Sequence, residues 1–220
     1  MENLALEMMK KTPHHIVKAG LTIMLVFIFL SASSCKKEEP RKNAPTEQAL
    51  SSYAGESVLQ EVTKKLKENP NDVEALYHLA YLYDQDEQYV EAIETYKKVV
   101  ALKPDMGYAY VKMGTAYDRI NQPGEAVNAF KKAVTYMPGN AVVFNNLGVA
   151  YGKLGKFNDE ISALRKAIKL RPNYTSARYN LGMTYLKLGD KKAALKEYEA
   201  LKTFDESAGE GLLKEINRAS

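Results

Sequence analysis

The chain has 220 residues, 45% of them hydrophobic and 26% charged, a balance typical of a folded domain and not of a disordered chain. The single cysteine excludes an intrachain disulfide framework and a cysteine-cluster zinc site, and three histidines leave little for metal binding. A net charge of +4 is too small by itself to indicate nucleic-acid binding.

The first 34 residues have the pattern of a secretory signal peptide. A basic segment ends at Lys18, an uncharged and mainly apolar stretch covers residues 19–34, and its last four residues are small. Cys35 follows directly, and this arrangement resembles the signal of bacterial lipoproteins. In that family the cysteine is lipidated and becomes the mature N-terminus, so the resemblance implies lipidation of Cys35.

Two other interpretations of this segment stay open. Residues 19–34 are also compatible with an uncleaved anchor, although 16 residues are fewer than the roughly 20 that cross a bilayer comfortably. A plain cleaved signal with an unmodified Cys35 is the second alternative. The sequence does not decide whether Met1, Met8 or Met9 is the true start.

Residues 35–52 are predicted to be a flexible tether that follows the lipidated cysteine. The segment contains Pro40, Pro45, mixed charges and small polar residues, with no apolar periodicity. Residues 53–70 differ, because apolar side chains recur there at helical spacing. They predict an N-terminal capping helix whose apolar positions are Val58, Leu59, Val62 and Leu66.

Prolines spaced 34 residues apart mark an internal repeat in the remaining chain. These prolines are Pro70, Pro104, Pro138 and Pro172. Four repeats that begin three residues after each proline cover residues 73–106, 107–140, 141–174 and 175–206.

Equivalent positions of the four repeats hold similar residues. Position 11 is always tyrosine, position 8 is alanine or glycine, and position 20 is alanine in three repeats. Small residues at positions 8 and 20 let two helices approach closely, and larger residues fill the space around the contact. Three residues depart from the pattern: Glu160 at position 20, Arg178 at position 4 and Glu206 at the position where the other repeats have proline.

This pattern resembles the tetratricopeptide repeat (TPR) family over residues 73–206. The resemblance implies an all-α fold, a right-handed TPR superhelix (α-solenoid) of antiparallel helix pairs. Helix A of each repeat is expected near 73–86, 107–120, 141–154 and 175–188, and helix B near 89–102, 123–136, 157–170 and 191–204. Residues 207–220 predict a short C-terminal capping helix, so that about ten helices are expected.

The sequence contains no motif of a nucleophilic, phosphate-binding or zinc-dependent enzyme. We therefore expect no catalytic activity, no cofactor and no metal. The acidic pair Asp159 and Glu160 lies at a helix start, where it is expected to interact favourably with the helix dipole.

TPR proteins bind other proteins through a concave groove lined by the A helices, and the resemblance implies the same role here. Groove tyrosines suit a protein interface, and Asn146 and Asn180 share position 6, where asparagines can form a ladder that holds a peptide backbone. The groove is also expected to grade from acidic to basic along its lower edge. The predicted partner-binding residues are Tyr77, His78, Tyr81, Asp84, Tyr108, Lys112, Asp118, Arg119, Asn145, Asn146, Lys153, Tyr179, Asn180 and Lys187.

These features together predict a non-catalytic adaptor or scaffold that is lipid-anchored on the extracytoplasmic side of a bacterial cell envelope. Its expected partner is an extracytoplasmic protein or peptide, without nucleic acid. A self-assembling structural protein, such as a homodimer formed through a weakly capped end, is one alternative. A surface lipoprotein that binds an extracellular ligand is another. The leaflet and the choice between an extended peptide and a folded domain stay open.

Overall fold

The computed structural model describes residues 47–219, with side chains from residue 57 onward. The predicted signal, Cys35 and the tether as far as residue 46 lie outside the described residues. The described part of the chain is helical and contains no strand. Its ten helices are α1 (Glu47–Glu68), α2 (Val73–Gln85), α3 (Tyr89–Leu102), α4 (Gly107–Arg119), α5 (Pro123–Tyr136), α6 (Ala141–Lys153), α7 (Phe157–Leu170), α8 (Thr175–Lys187), α9 (Lys191–Lys202) and α10 (Glu206–Arg218).

The predicted all-α fold is confirmed, and the repeat helices end within two residues of their predicted bounds. The start of α1 differs from prediction, because residues 47–52 belong to the helix and not to the tether. Pro45 is the last proline before α1, and the residues that follow it include the strong helix formers Glu47 and Leu50. A helix can therefore begin well before the apolar positions on which the prediction relied.

The described chain falls into two compact units, one ending at Gln88 and the other beginning at Tyr89. In the N-terminal unit, α1 contacts α2. Val62, Leu76 and Ala80 are buried side chains of this unit.

In the C-terminal unit, each helix from α3 to α10 contacts the next one along the chain. The A helices also contact each other, α4 with α6 and α6 with α8. Close approach within a repeat depends on glycine at position 8, since a Cβ on Gly114 would lie 2.8 Å from the ring of Phe130. Likewise, a Cβ on Gly148 would lie 2.8 Å from Leu164.

Helix α10 caps the end of the C-terminal unit. It contacts both α8 and α9, and its Leu212 and Ile216 are fully buried. A Cβ on Gly182 would lie 2.5 Å from Leu212, so this glycine makes room for the cap as its counterparts do for a B helix. The C-terminal helix, which the sequence suggested was weak, therefore covers the apolar surface of repeat 4.

Side chains placed just before the helices fix where several of them begin. Asp72, Asn140, Asp190 and Asp205 each accept a hydrogen bond from a backbone N–H in the first turn of the following helix. Such caps satisfy donors that the helix itself leaves unpaired. At Asp205, the bonds donated by the Ala208 N–H and by the Thr175 hydroxyl hold the pKa of the carboxyl below its usual value.

Position 15 of every repeat, in the turn between helices A and B, adopts a left-handed backbone conformation. Glycine occupies it in repeats 3 and 4, with φ of 69° at Gly155 and 77° at Gly189. Repeats 1 and 2 place Glu87 and Asn121 there, with φ of 58° and 56°. Glycine adopts this conformation without the steric penalty that a Cβ brings.

Two departures from the repeat pattern are compensated locally. Arg178 pairs with Glu197 of α9 at 2.9 Å between Nη1 and Oε2, and its Nε donates to the carbonyl oxygen of Pro172. Glu206 stands where the earlier repeats have proline, and it begins α10 directly after the cap Asp205. The chain therefore turns into a further helix at the point where proline would have ended the repeat.

Substituting Gly114 by alanine should lower stability, because the added Cβ would meet the buried ring of Phe130. We expect Gly114→Ala to lower the free energy of unfolding by about 1–3 kcal/mol, measured by urea denaturation. Gly124→Ala is the matched control, since a Cβ there meets nothing within 4 Å. It should leave stability unchanged or raise it by up to about 1 kcal/mol. Equal effects of the two substitutions would contradict the proposed close contact.

Candidate partner-binding surface

The residues predicted to contact a partner fall in both compact units. In the N-terminal unit, His78 and Tyr81 are exposed, and Tyr77 and Asp84 are partly exposed. The rings of Tyr77 and His78 lie 6.5 Å apart, centre to centre. In the C-terminal unit the predicted residues lie on α4, α6 and α8, which we call the A-helix face.

An asparagine network joins α6 to α8 on this face. The Asn180 side-chain amide donates to Oδ1 of Asn145 at 3.1 Å, and the Asn145 amide donates to Oδ1 of Asn146 at 3.3 Å. Asn145 is only 6% exposed. The connection between Asn146 and Asn180 that the sequence suggested therefore runs through Asn145, a buried linking residue and not an open contact position.

An ion pair joins α4 to α6 in the same way. Nζ of Lys153 lies 2.6 Å from Oδ1 of Asp118, and both side chains are partly exposed. The expected acidic-to-basic grading needs correction here, because these two charges neutralise each other. Exposed pairs of this kind contribute about 0–1 kcal/mol to stability, so the pair orients its side chains more than it stabilises the fold.

Both cross-repeat contacts connect residues 35 apart, which is the repeat period plus one. Position 12 of repeat 2 (Asp118) meets position 13 of repeat 3, and position 5 of repeat 3 (Asn145) meets position 6 of repeat 4. Neighbouring A helices are therefore offset by one residue. A ladder of identical positions, as predicted from the 34-residue period, does not form directly.

The predicted tyrosines of the C-terminal unit have different surroundings. Tyr108 is 64% exposed and borders an open cavity of about 550 Å³ with Met137, Asn140 and Arg171. Tyr179 is partly buried and packs against the helix cluster capped by α10. Among the predicted charged residues, Arg119 and Lys187 are exposed and Lys112 is partly exposed.

The most unusual residue of this region, Glu160, is not among the predicted partner-binding residues. Its side chain points inward and is 4% exposed, and its Oε2 atom has no hydrogen-bond partner within the described residues. The predicted role at the helix dipole is therefore corrected, because the carboxylate leaves the helix start and enters the space between α6 and α8. A Cβ on Gly152 would lie 2.6 Å from the carboxylate, so only glycine at 152 leaves room for it.

A small cavity of about 240 Å³ opens beside this carboxylate. We call it the Glu160 pocket. It is lined by Val149, Gly152, Lys153, Glu160, Asn180, Met183 and Lys187.

Burial raises the pKa of the Glu160 carboxyl above its ordinary value of 4.5, while a hydrogen bond with Thr184 and the charge of Lys187 act in the opposite direction. The Thr184 hydroxyl also donates to the carbonyl oxygen of Asn180 at 2.8 Å. A hydroxyl has one proton to donate, so Thr184 satisfies either that carbonyl or the carboxylate at a given moment.

A sequence signal for this site exists, although it needs two residues to be considered together. Position 20 is alanine in the other three repeats, and Glu160 replaces it with a larger side chain. Position 12 is aspartate in repeats 1 and 2 and leucine in repeat 4, and Gly152 replaces it with a smaller one. The two exchanges compensate in volume, which indicates contact between the two positions.

Within the described residues, no helix is long and apolar enough to span a membrane. The same part of the chain contains no group of three or more histidine, cysteine, aspartate or glutamate residues placed to hold a metal ion.

Comparison with known proteins identifies the repeat family. A family model described as tetratricopeptide repeat matches residues 73–106, 107–140 and 175–207, and another described as TPR repeat matches residues 154–189. Together they cover more than half of the 220 residues, and the chain belongs to the tetratricopeptide-repeat family. None of the curated proteins matches the chain.

Solved structures of TPR proteins are similar to this chain. A crystal structure of MamA is 28% identical with a TM-score of 0.67, and the match covers 71% of this chain and 92% of MamA. YrrB, described as a TPR protein with an unusual peptide-binding site, is 23% identical with a TM-score of 0.61, covering 74% of this chain and 93% of YrrB. The first TPR of Spaghetti (RPAP3), bound to the HSP90 peptide SRMEEVD, is 21% identical with a TM-score of 0.51, covering 53% and 93%.

These similarities confirm the predicted TPR solenoid fold. Below 25% identity they concern the fold alone, so the ligands of YrrB and RPAP3 say nothing direct about the residues of this chain.

Replacing Glu160 by glutamine should remove a pH-dependent part of the stability. Because the folded-state pKa is raised, the contribution of Glu160 is fully present below about pH 4.5 and is lost as the pH rises through the folded-state pKa. The difference in free energy of unfolding, wild type minus Glu160→Gln, should therefore fall as the pH rises from about 4.5. Urea denaturation over a pH series measures it.

The facing groups Lys153, Thr184 and Lys187 are the same in both proteins, so the difference isolates the change at residue 160. Glu125→Gln is the control, because Glu125 is exposed in the first turn of α5. Parallel stability curves for wild type and Glu160→Gln would show that the carboxyl is not perturbed by burial.

Proposed function

We propose that the protein is a non-catalytic adaptor whose A-helix face binds a peptide or protein partner, and that Cys35 anchors it by lipid in a bacterial cell envelope. The observation that supports the binding role most strongly is the polar network across α6 and α8. Asn145 fixes the Asn180 amide, and Asn146 is left partly exposed beside them. An amide held in place presents both a donor and an acceptor, which is the pairing that a peptide bond requires.

Membership of a repeat family that presents extended surfaces supports the same function. The peptide-binding site named for YrrB and the peptide bound to the first TPR of RPAP3 are precedents for ligand binding on this fold. An exposed tyrosine on α4 strengthens the proposal, since Tyr108 is 64% exposed. Rigid amphipathic rings give contact area with little loss of conformational freedom.

The lipid anchor rests on the sequence pattern before Cys35. Such an anchor would hold the A-helix face near a membrane and present it to extracytoplasmic proteins. The alternative of self-assembly through an uncovered end is less favoured, because the buried Leu212 and Ile216 of α10 cover the apolar surface of repeat 4.

Intact-mass measurement of protein from its native membrane tests the anchor. We expect a mature chain that begins at Cys35 and carries acyl chains, and we expect Cys35→Ala to lack them. An uncleaved and unlipidated wild-type chain would overturn the envelope location, while the adaptor function would remain to be judged by the next experiment.

Site-specific photocrosslinking tests the binding surface. The photoreactive amino acid p-benzoylphenylalanine placed at Asn146 should give a covalent adduct with one defined partner. The same residue placed at Lys132, which is exposed on the B helix α5, is the matched control and should not. An adduct that forms equally at both positions, or at neither, would count against a partner on the A-helix face.

A further inference from the structure

We propose that the Glu160 pocket binds the carboxamide side chain of an asparagine or glutamine in the bound partner. This inference rests on the proposed function, because it identifies one side chain that the A-helix face would recognise. It depends on the chemistry of three lining groups, the Glu160 carboxylate, the Lys187 ammonium and the apolar wall formed by Val149 and Met183.

The first group is a carboxylate, one oxygen of which lacks a hydrogen-bond donor. Glu160 is 4% exposed, and its Oε2 has no hydrogen-bond partner within the described part of the chain. Leaving a buried acceptor unpaired is unfavourable, and more so when the group is charged. A ligand N–H that entered the pocket would supply the missing hydrogen bond.

The second group is a donor that lines the same pocket. Lys187 lines the cavity and acts electrostatically on Glu160. Its ammonium group has three N–H donors and no acceptor. Lys153 also lines the pocket, but its charge is already paired with Asp118 at 2.6 Å. The pocket thus offers an acceptor at Glu160 and a donor at Lys187.

A carboxamide matches this arrangement, because its NH₂ group donates and its carbonyl oxygen accepts. A guanidinium or ammonium group would bind Glu160 but be repelled by Lys187. A carboxylate would bind Lys187 but be repelled by Glu160. The neutral group with both functions avoids either repulsion.

The size and the walls of the pocket favour a single side chain over a whole small molecule. Its volume of about 240 Å³ is below the range of roughly 300–1,000 Å³ that is usual for small-molecule sites. Val149 and Met183 provide apolar contacts for the methylene groups that connect a carboxamide to its backbone. Asn180 of the A-helix face also lines the pocket, so a peptide bound on that face would pass beside it.

Small probes in a nuclear magnetic resonance titration test the pocket without knowledge of the partner. The full-length ¹⁵N-labelled chain in detergent micelles is titrated separately with propionamide, methylguanidinium and propionate. We expect propionamide to shift the Gly152 backbone amide and the Asn180 side-chain amide in a saturable way. In Glu160→Ala the apparent affinity should fall about tenfold, the equivalent of one lost hydrogen bond.

Alanine is a suitable replacement, since Ala92, Ala126 and Ala194 occupy the same repeat position and are fully buried. Glu160→Gln keeps the side-chain volume and serves as a second variant if the alanine protein does not fold. Because glutamine replaces the carboxylate by an amide of lower acceptor strength, it should also weaken propionamide binding.

Saturable binding of methylguanidinium in preference to propionamide would overturn the proposal in favour of a cation site, and preferential binding of propionate would overturn it in favour of a carboxylate site. Binding of none of the three probes would remove the pocket as a recognition site. That result would not contradict the proposed function, because the crosslinking experiment detects a partner on the A-helix face whether or not the partner uses this pocket.

Discussion

The close approach of helices A and B at position 8 of repeats 2 and 3 is the contact on which the rest of the C-terminal unit depends. At Gly114 and Gly148 a single added Cβ would lie 2.8 Å from a buried side chain of the paired helix. Interiors packed to this density do not absorb an extra carbon without displacement. Because position 8 is committed to the helix pair, positions 5, 6, 12 and 13 of the same A helix are left to contact the neighbouring A helix or a ligand. The binding surface is therefore a consequence of the packing.

Repeat 3 uses this arrangement differently from its neighbours. Where the other repeats place a fully buried alanine at position 20, it places a glutamate, and Gly152 on the A helix provides the space. Burying a carboxylate without a complete set of donors lowers stability, since desolvation of the charged group is not repaid by hydrogen bonds. The unit tolerates this because the surrounding core is intact, with Leu164 beneath α6 and Leu212 at the capped end both fully buried. The proposed carboxamide site would use this unsatisfied acceptor, because a binding pocket needs polar atoms that are not already paired.

Most of the fold could be predicted from the sequence, and part of the site could not. The proline period and the small residues at position 8 define helix pairs to within two residues, because each helix is determined by local spacing and caps such as Asp72 and Asn140. The start of α1 was not predicted, since helix-forming residues such as Glu47 and Leu50 extend the helix beyond the apolar positions used for the prediction. The sequence also did not predict that Asn145, and not Asn146, accepts the hydrogen bond from Asn180, because this choice depends on the offset between neighbouring A helices.

That one-residue offset also explains why the pocket lies where it does. In repeats 2 and 3, an acid at position 12 (Asp118) meets a lysine at position 13 (Lys153). Applied to the next pair of A helices, the same offset brings Lys187 to position 12 of repeat 3, which is Gly152 and has no charge to offer. The Glu160 carboxylate lies directly over that glycine, so it supplies from the B helix the charge that Asp118 supplies from the A helix one repeat earlier. The carboxylate comes from the B helix α7 and stays buried, and the Glu160 pocket lies beside it. Asp118 and Lys153 thus form an ion pair between repeats 2 and 3, whereas Glu160 and Lys187, the acid and the lysine at the equivalent place between repeats 3 and 4, line an open pocket.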